Sequence, residues 1–242
     1  MTVHVELCNG GKEYMQIAGI QKITLVDFPG HVAATIFTRG CSFRCPFCHN
    51  PELVLPEKYS ALLDEQQVFD FLETRYGKLT GICITGGEPL MQPDIDTFIS
   101  HLKALSFDVK LDTNGSYPDM LEKIIKDGDI DYIAMDIKAS PDKYATAAGT
   151  KIKIADIRRS IKLVMESGID YEFRTTVCKP IHEVADFEDL GKMIKGAKRY
   201  FLQNFVQSKH VNSVTEYLPL SSKELLDARE IMERYVDEVG IR

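Results

Sequence analysis

The sequence has no uninterrupted apolar run of about 18 residues, so no membrane-spanning helix is expected. Its first residues, Met1-Thr2-Val3-His4-Val5-Glu6, lack the basic and then apolar pattern of an export leader; a reducing, cytoplasmic setting is the expectation. Positive charge is not in excess either. Lys and Arg number 29 against 36 Asp and Glu, a formal charge of −7, which argues against non-specific nucleic-acid binding. No low-complexity tract, linker or solenoid repeat interrupts the 242 residues. The hydrophobic share of 44% and charged share of 27% exclude wholesale disorder and leave one ordinary globular domain, 1–242.

What is present is uneven. Of six cysteines, Cys41, Cys45 and Cys48 fall within eight residues, while Cys8, Cys83 and Cys178 are scattered singly. A close triplet in a chain without export signals reads as a metal site rather than a disulfide framework. Around it runs a strand-then-helix rhythm. Short apolar or β-branched runs at 33–38, 81–85, 108–112, 132–137, 171–177 and 200–206 predict strands. Helical spacing at 61–75, 93–105, 119–126, 154–166, 184–194 and 221–239 predicts helices, the last with a Ser221 or Ser222 cap and Glu224 as capping-box partner. Six such units imply parallel βαβ folding, short of an eight-fold barrel. The expectation is therefore an α/β fold, a partial (β/α)6 TIM-like barrel with an open catalytic face, with a doubly wound sheet as the alternative.

Either architecture places ligands at the carboxyl ends of the strands, where the unusual residues lie. After the first predicted strand comes Arg39-Gly40-Cys41-Ser42-Phe43-Arg44-Cys45-Pro46-Phe47-Cys48-His49-Asn50, with C-x3-C-x2-C spacing. Structural zinc with His49 as fourth ligand is one reading, but such sites ordinarily pair two cysteine clusters and no second exists here. Three thiolates on a four-iron cluster would instead leave one iron open to a substrate. Thr85-Gly86-Gly87-Glu88-Pro89 ends the second strand, where glycines permit close approach of a ligand and Glu88 could accept from an amine; a plain turn is the alternative. Asp112-Thr113-Asn114-Gly115 ends the third, with an ordinary Asx-turn as the alternative. Asp136 and Lys138 end the fourth, as a surface ion pair or as partners for a carboxylate, cation or ribose. Arg174 lies inside the fifth, where burial demands a partner, and Gln203 in the sixth.

The C-x3-C-x2-C run followed by Gly-Gly-Glu-Pro resembles the radical S-adenosylmethionine superfamily, over about 17–205. Ala18-Gly19-Ile20-Gln21-Lys22, Val26-Asp27-Phe28-Pro29-Gly30 and Cys45-Pro46-Phe47-Cys48-His49-Asn50-Pro51-Glu52-Leu53 are similar to the activating proteins of anaerobic ribonucleoside-triphosphate reductase. The resemblance implies one [4Fe–4S] cluster on Cys41, Cys45 and Cys48, with S-adenosylmethionine chelating the fourth iron. It implies reductive cleavage to a 5′-deoxyadenosyl radical, which takes hydrogen from a glycine of a partner glycyl-radical enzyme. It places Phe47 and His49 against adenine, and Gly86, Gly87 and Glu88 at the methionine amino group. Asp112, Thr113 and Asp136 would lie near the carboxylate or ribose, with a monovalent cation as a further occupant; Lys138 would pair with the carboxylate, and Arg174 would line the pocket. A low-potential donor such as flavodoxin or ferredoxin would supply the electron. Related formate-lyase activases carry a histidine where this chain has Gln203-Asn204-Phe205, so the cofactor contact of Gln203 rests on position alone. The scheme leaves residues 1–16 as an N-terminal extension and 206–242 as a C-terminal segment. Cys8, Cys83 and Cys178 fall outside it as packing thiols.

Overall fold

The computed structural model describes residues 14–207 and 217–242. Cys8, and residues 1–13 of the expected N-terminal extension, lie outside the described residues. One eight-stranded sheet organises the rest, in the spatial order of the sequence: β1 (Ile17–Thr24), β2 (Ala33–Thr38), β3 (Gly81–Gly86), β4 (Asp108–Thr113), β5 (Tyr132–Asp136), β6 (Asp170–Val177), β7 (Arg199–Asn204) and β8 (Glu238–Ile241). β1 runs antiparallel to β2, and every later pair is parallel. β1 and β8 each have one neighbour, so the sheet does not close. This is the open, partial-barrel α/β arrangement expected from the alternation of strands and helices.

The helices follow the predicted rhythm: α1 (Glu65–Glu73), α2 (Ile95–Ala104), α3 (Pro118–Asp127), α4 (Tyr144–Ala148), α5 (Ile154–Glu166), α6 (Asp186–Met193) and α7 (Ser222–Met232). Their apolar faces meet alternate strand residues. Ile82 and Ile84, Val109 and Leu111, Ile133 and Met135, and Tyr171 and Phe173 join Leu72, Ile99, Leu121, Ile161 and Leu190 in one buried cluster. Parallel strands covered by helices must be apolar on that side, which is why these runs were legible as strands. No helix among the described residues is long and apolar enough to cross a membrane.

Four elements depart from expectation. The terminal helix stops at Met232 rather than Val239, although the Ser221–Glu224 capping box forms as predicted. The next residues turn back and add β8 beside β7, burying Val239; Gly240 lies so close to the Phe201 ring that a Cβ there would stand 2.6 Å from it. β1 was not read as a strand because its edge position leaves Gln21, Lys22 and Ile23 exposed and breaks the alternation. The five-residue α4 is too short to show helical periodicity.

Candidate functional site

All the parallel strands point their carboxyl ends the same way, and the segments that follow converge on one cleft. It encloses about 830 Å³, counted to its open mouth. Its walls include Cys41, Cys45, Cys48, Gly86, Glu88, Asp112, Asp136, Lys138 and Arg174. Every residue singled out from the sequence lines this cleft except Gln203, which pairs in register with Thr176 at the end of β7 but is not among the lining residues.

The cysteine loop follows β2 and is held by main-chain bonds. The Gly40 amide donates to the Leu53 carbonyl (2.7 Å), the Glu88 amide to the Gly40 carbonyl (2.7 Å) and the Arg44 amide to the Ala148 carbonyl (2.8 Å). The Gly87 amide donates to the Thr38 carbonyl (2.9 Å). Any Cβ at Gly87 would lie 1.9 Å from the Gly40 carbonyl oxygen, so glycine is needed there for β3 to meet the loop rather than to bare an amide for a ligand. Two donors already reach Cys41 Sγ: the Phe43 amide (3.4 Å) and the Asn114 side-chain amide (3.6 Å).

Glu88 is 0% exposed and ties β3 to β4. Its Oε1 accepts from the Leu90 amide (3.1 Å) and the Thr113 hydroxyl (2.7 Å), its Oε2 from the Asn114 amide (2.7 Å). Burial raises its pKa to about 7 against the lowering effect of those bonds. The Thr113 hydroxyl in turn accepts from the Gly115 amide (3.0 Å), so both its proton and a lone pair are committed within the protein.

Across β4, β5 and β6 runs an alternating row of charges. Lys110 pairs with Asp112; Arg174 donates to Asp112 Oδ2 through Nη1 (3.1 Å) and to Asp136 Oδ1 through Nε (3.0 Å); Lys138 Nζ donates to Asp136 Oδ2 (2.9 Å). Burial alone would neutralise both aspartates, yet Arg174 beside Asp112, and Lys138 with Arg174 beside Asp136, hold both carboxyls below the usual range. Burial also opposes the charge of Lys138, and Asp136 outweighs it, so the lysine stays protonated. Deeper in the same face, Glu172 (1% exposed) accepts from Tyr132 (3.0 Å) and bidentately from Arg242 (2.9 and 3.0 Å). Arg174 therefore did have the partners its burial required.

The remaining wall is aromatic. Phe47 is buried against His182 and Tyr217, and His49 lies tilted on Phe205 with its Nε2 against the Val206 carbonyl (2.9 Å). A carbonyl needs a donor, so Nε2 carries the hydrogen. Among the described residues no three His, Cys, Asp or Glu side chains converge to hold one metal ion. Three thiols lining one cleft suit an iron–sulfur cluster with one iron left without a protein ligand. Burial pushes Cys41 up to about 12 and Cys45 up to about 11, and raises Cys48 as well. Thiolates at these positions therefore need a strongly cationic occupant, as a cluster's irons provide. The residues present fit such a group.

Sequence reasoning missed Asn114 as a site residue. Its Asx-turn is real, the side-chain oxygen accepting from the Ser116 amide (2.9 Å), but its Nδ2 also faces Cys41. His182 was missed too: its Nε2 lies 2.8 Å from the Lys138 carbonyl and its ring meets Phe47. Neither carries a motif; only the fold brings them in.

The model of the Radical SAM superfamily matches residues 35–194. The chain is 33% identical over 233 residues to a candidate glycyl-radical-enzyme activating enzyme of Methanocaldococcus jannaschii, covering 93% of this chain and 95% of that one. It is 25% identical to a GTP 3′,8-cyclase of Nautilia profundicola, over 78% of this chain and 60% of the cyclase. Among solved structures it is similar to QueE of Escherichia coli, at a TM-score of 0.57 and 15% identity, over 96% of this chain and 95% of that one. The last likeness bears on the fold alone.

Proposed function

The chain belongs to the Radical SAM superfamily, and from that premise we propose that it is an activase that generates a glycyl radical on a partner enzyme. The observation that carries this reading is the convergence of the C-x3-C-x2-C loop with Glu88, Asp112, Asp136, Lys138 and Arg174 on one cleft. Similarity to the M. jannaschii protein along nearly its whole length supports the choice of substrate class. A [4Fe–4S] cluster with S-adenosylmethionine, when bound, supplies one electron to a sulfonium C–S bond and so a carbon radical able to abstract hydrogen.

The protein's own residues do the rest. Cys41, Cys45 and Cys48 hold the cluster, and Asn114 and the Phe43 amide donate to Cys41. Glu88 has one lone-pair position beyond its three donors, which suits the methionine ammonium; a cation there would return its carboxyl to the ionised form. Lys138 offers further N–H donors to the methionine carboxylate while Asp136 keeps it charged. Phe47 and His49 form the apolar wall for adenine. Asp112 and Asp136 are each ion-paired twice, so a monovalent cation must compete with Arg174 and the two lysines for them. Among glycyl-radical enzymes, anaerobic ribonucleotide reductase is the partner we favour, with a flavodoxin or ferredoxin as reductant.

The test uses protein reconstituted with iron and sulfide without oxygen. Reductant and S-adenosylmethionine should yield 5′-deoxyadenosine. Addition of the reductase should yield a glycyl doublet in electron paramagnetic resonance. A second reading, modification of a small molecule, is favoured by the similarity to the GTP cyclase. Turnover of nucleotide with no protein radical would establish it in place of the first.

A further inference from the structure

Arg174 lies between carboxylates at two depths. Toward the cleft, its Nη1 reaches Asp112 Oδ2 (3.1 Å) and its Nε reaches Asp136 Oδ1 (3.0 Å). Deeper, the same Nη1 stands 4.0 Å from Glu172 Oε1. Glu172 is 1% exposed and, unlike the two aspartates, does not line the cleft. A carboxylate so far from water draws on any cation within reach. Arg242 settles that competition. Its amide donates to the Leu202 carbonyl (2.8 Å) and its carbonyl accepts from the Asn204 amide (3.1 Å), which fixes the residue against β7 just beyond β8. Its guanidinium carbon stands 3.5 Å from the centre of the Phe201 ring, and its two terminal nitrogens donate to the two Glu172 oxygens at 2.9 and 3.0 Å. A planar fork stacked on a ring is an arrangement that arginine makes and lysine does not. The Tyr132 hydroxyl adds a further bond to Oε2 (3.0 Å). Glu172 is thus satisfied from the β8 side, and Arg174 is left to the aspartates. Among the described residues Arg174 Nη2 has no partner, so it is the donor that remains for an occupant of the cleft Arg174 lines.

We propose that Arg242 is a positioning residue for the cofactor site: by holding Glu172 it keeps Arg174 directed at Asp112 and Asp136, and so sets the wall on which S-adenosylmethionine is seated. The inference rests on the S-adenosylmethionine reading above and adds a residue that is not among those lining the cleft and that no motif marks. Without Arg242, Glu172 claims the Arg174 guanidinium. Asp112 and Asp136 then fall back on Lys110 and Lys138. Lys138 is drawn more fully to Asp136 and offers less to the methionine carboxylate, and Nη2 of Arg174 leaves the place it holds for the ligand. Cofactor affinity falls, while the cysteines and the groups around them are untouched.

The experiment compares Arg242→Met, Arg242→Lys and the double variant Arg242→Met with Glu172→Gln against the unaltered protein, all reconstituted with iron and sulfide without oxygen. Release of 5′-deoxyadenosine is followed at excess reductant over a range of S-adenosylmethionine concentrations. Arg242→Met should raise KM for S-adenosylmethionine roughly tenfold, the scale of one weakened charge-assisted contact, with kcat and iron content nearly unchanged. Arg242→Lys keeps the charge but not the fork, and should raise KM by less. The double variant should return KM to that of the unaltered protein, because a glutamine carries no charge to draw Arg174 away. Where Arg242→Met fails to fold, the lysine and double variants carry the comparison. An unchanged KM in the Arg242 single variants, a fall in kcat at constant KM, or a raised KM that Glu172→Gln does not restore overturns the proposal; the last makes Arg242 a structural strut. Absence of S-adenosylmethionine cleavage by the unaltered, cluster-loaded protein overturns the cofactor reading itself, whereas the preceding outcomes leave that reading standing.

Discussion

On β4, Val109 and Leu111 pack against helices while Lys110 and Asp112 form an ion pair on the opposite side; on β6, Tyr171 and Phe173 stand against Glu172 and Arg174 in the same way. Both faces of the sheet are buried, and different forces hold them. The convex face is a conventional apolar core, in which each side chain contributes by the area it removes from water. The concave face is a network in which Lys110, Asp112, Arg174, Asp136 and Lys138 each depend on the next. An apolar core loses stability piece by piece, while a buried charge network fails at the member that is removed. The proposed chemistry falls on the second face, which supplies the groups that can bind a charged ligand.

The comparison can be broken most decisively at the cysteines. Cys45→Ala should abolish both iron retention and S-adenosylmethionine cleavage, read by metal analysis and 5′-deoxyadenosine release; retained turnover would remove the concave face's claim to the chemistry. Next comes Arg174→Met, which leaves each aspartate only its lysine. It should cost about 3–4 kcal/mol in denaturant unfolding, toward the lower end for a broken buried pair because Lys110 and Lys138 remain. A cost near zero would mean that this face behaves as apolar packing.

Glu88 gives a pH test of similar size. Its folded pKa of about 7 exceeds the 4.5 of a free glutamate. The folded state therefore holds the proton more tightly, and stability falls as pH rises from 4.5 through 7. The drop, about 3 kcal/mol in the cluster-free protein, should disappear in Glu88→Gln when unfolding is followed across that range. The smallest effect belongs to the convex face. Ile133→Val should cost about 1 kcal/mol, and its cost should add to that of Arg174→Met, whereas Arg174→Met with Lys138→Met should be strongly non-additive. Additivity throughout would erase the distinction between the faces.

The same distinction explains what the sequence made legible. The convex-face residues gave six strands their apolar runs, and the cysteine triplet announced itself by spacing. Arg174 was conspicuous as a charge inside such a run, and its partners Asp112 and Asp136 sat at predicted strand ends. Glu172 and Tyr132 passed unnoticed, because they pair with each other across strands 40 positions apart and Glu172 reaches Arg242 70 positions away; Lys110 was passed over although its partner Asp112 lies only two positions along the same strand. β8 escaped notice because no Gly or Pro interrupts residues 233–237, so that the expected helix ran on to Val239 over the first two residues of the strand. His182 entered the site's surroundings through the segment after β6, where no local signal marks it.

The cysteine loop is anchored by the amides of Gly40, Arg44 and Glu88 and by the closeness of Gly87 and Gly149 to its backbone. Its shape is thus written largely in main chain, with the Arg44 side chain adding donors to the Cys41 (2.6 Å) and Phe43 (2.7 Å) carbonyls, while the Ser42 hydroxyl meets only the Ser116 hydroxyl outside the loop. For protein engineering this separates two alphabets within one motif. A library that randomises Ser42 should return many folded, cluster-bearing variants with altered surroundings for the metal, while one that randomises Gly87 or Gly149 should return almost none. The loop can be redecorated, but not reshaped.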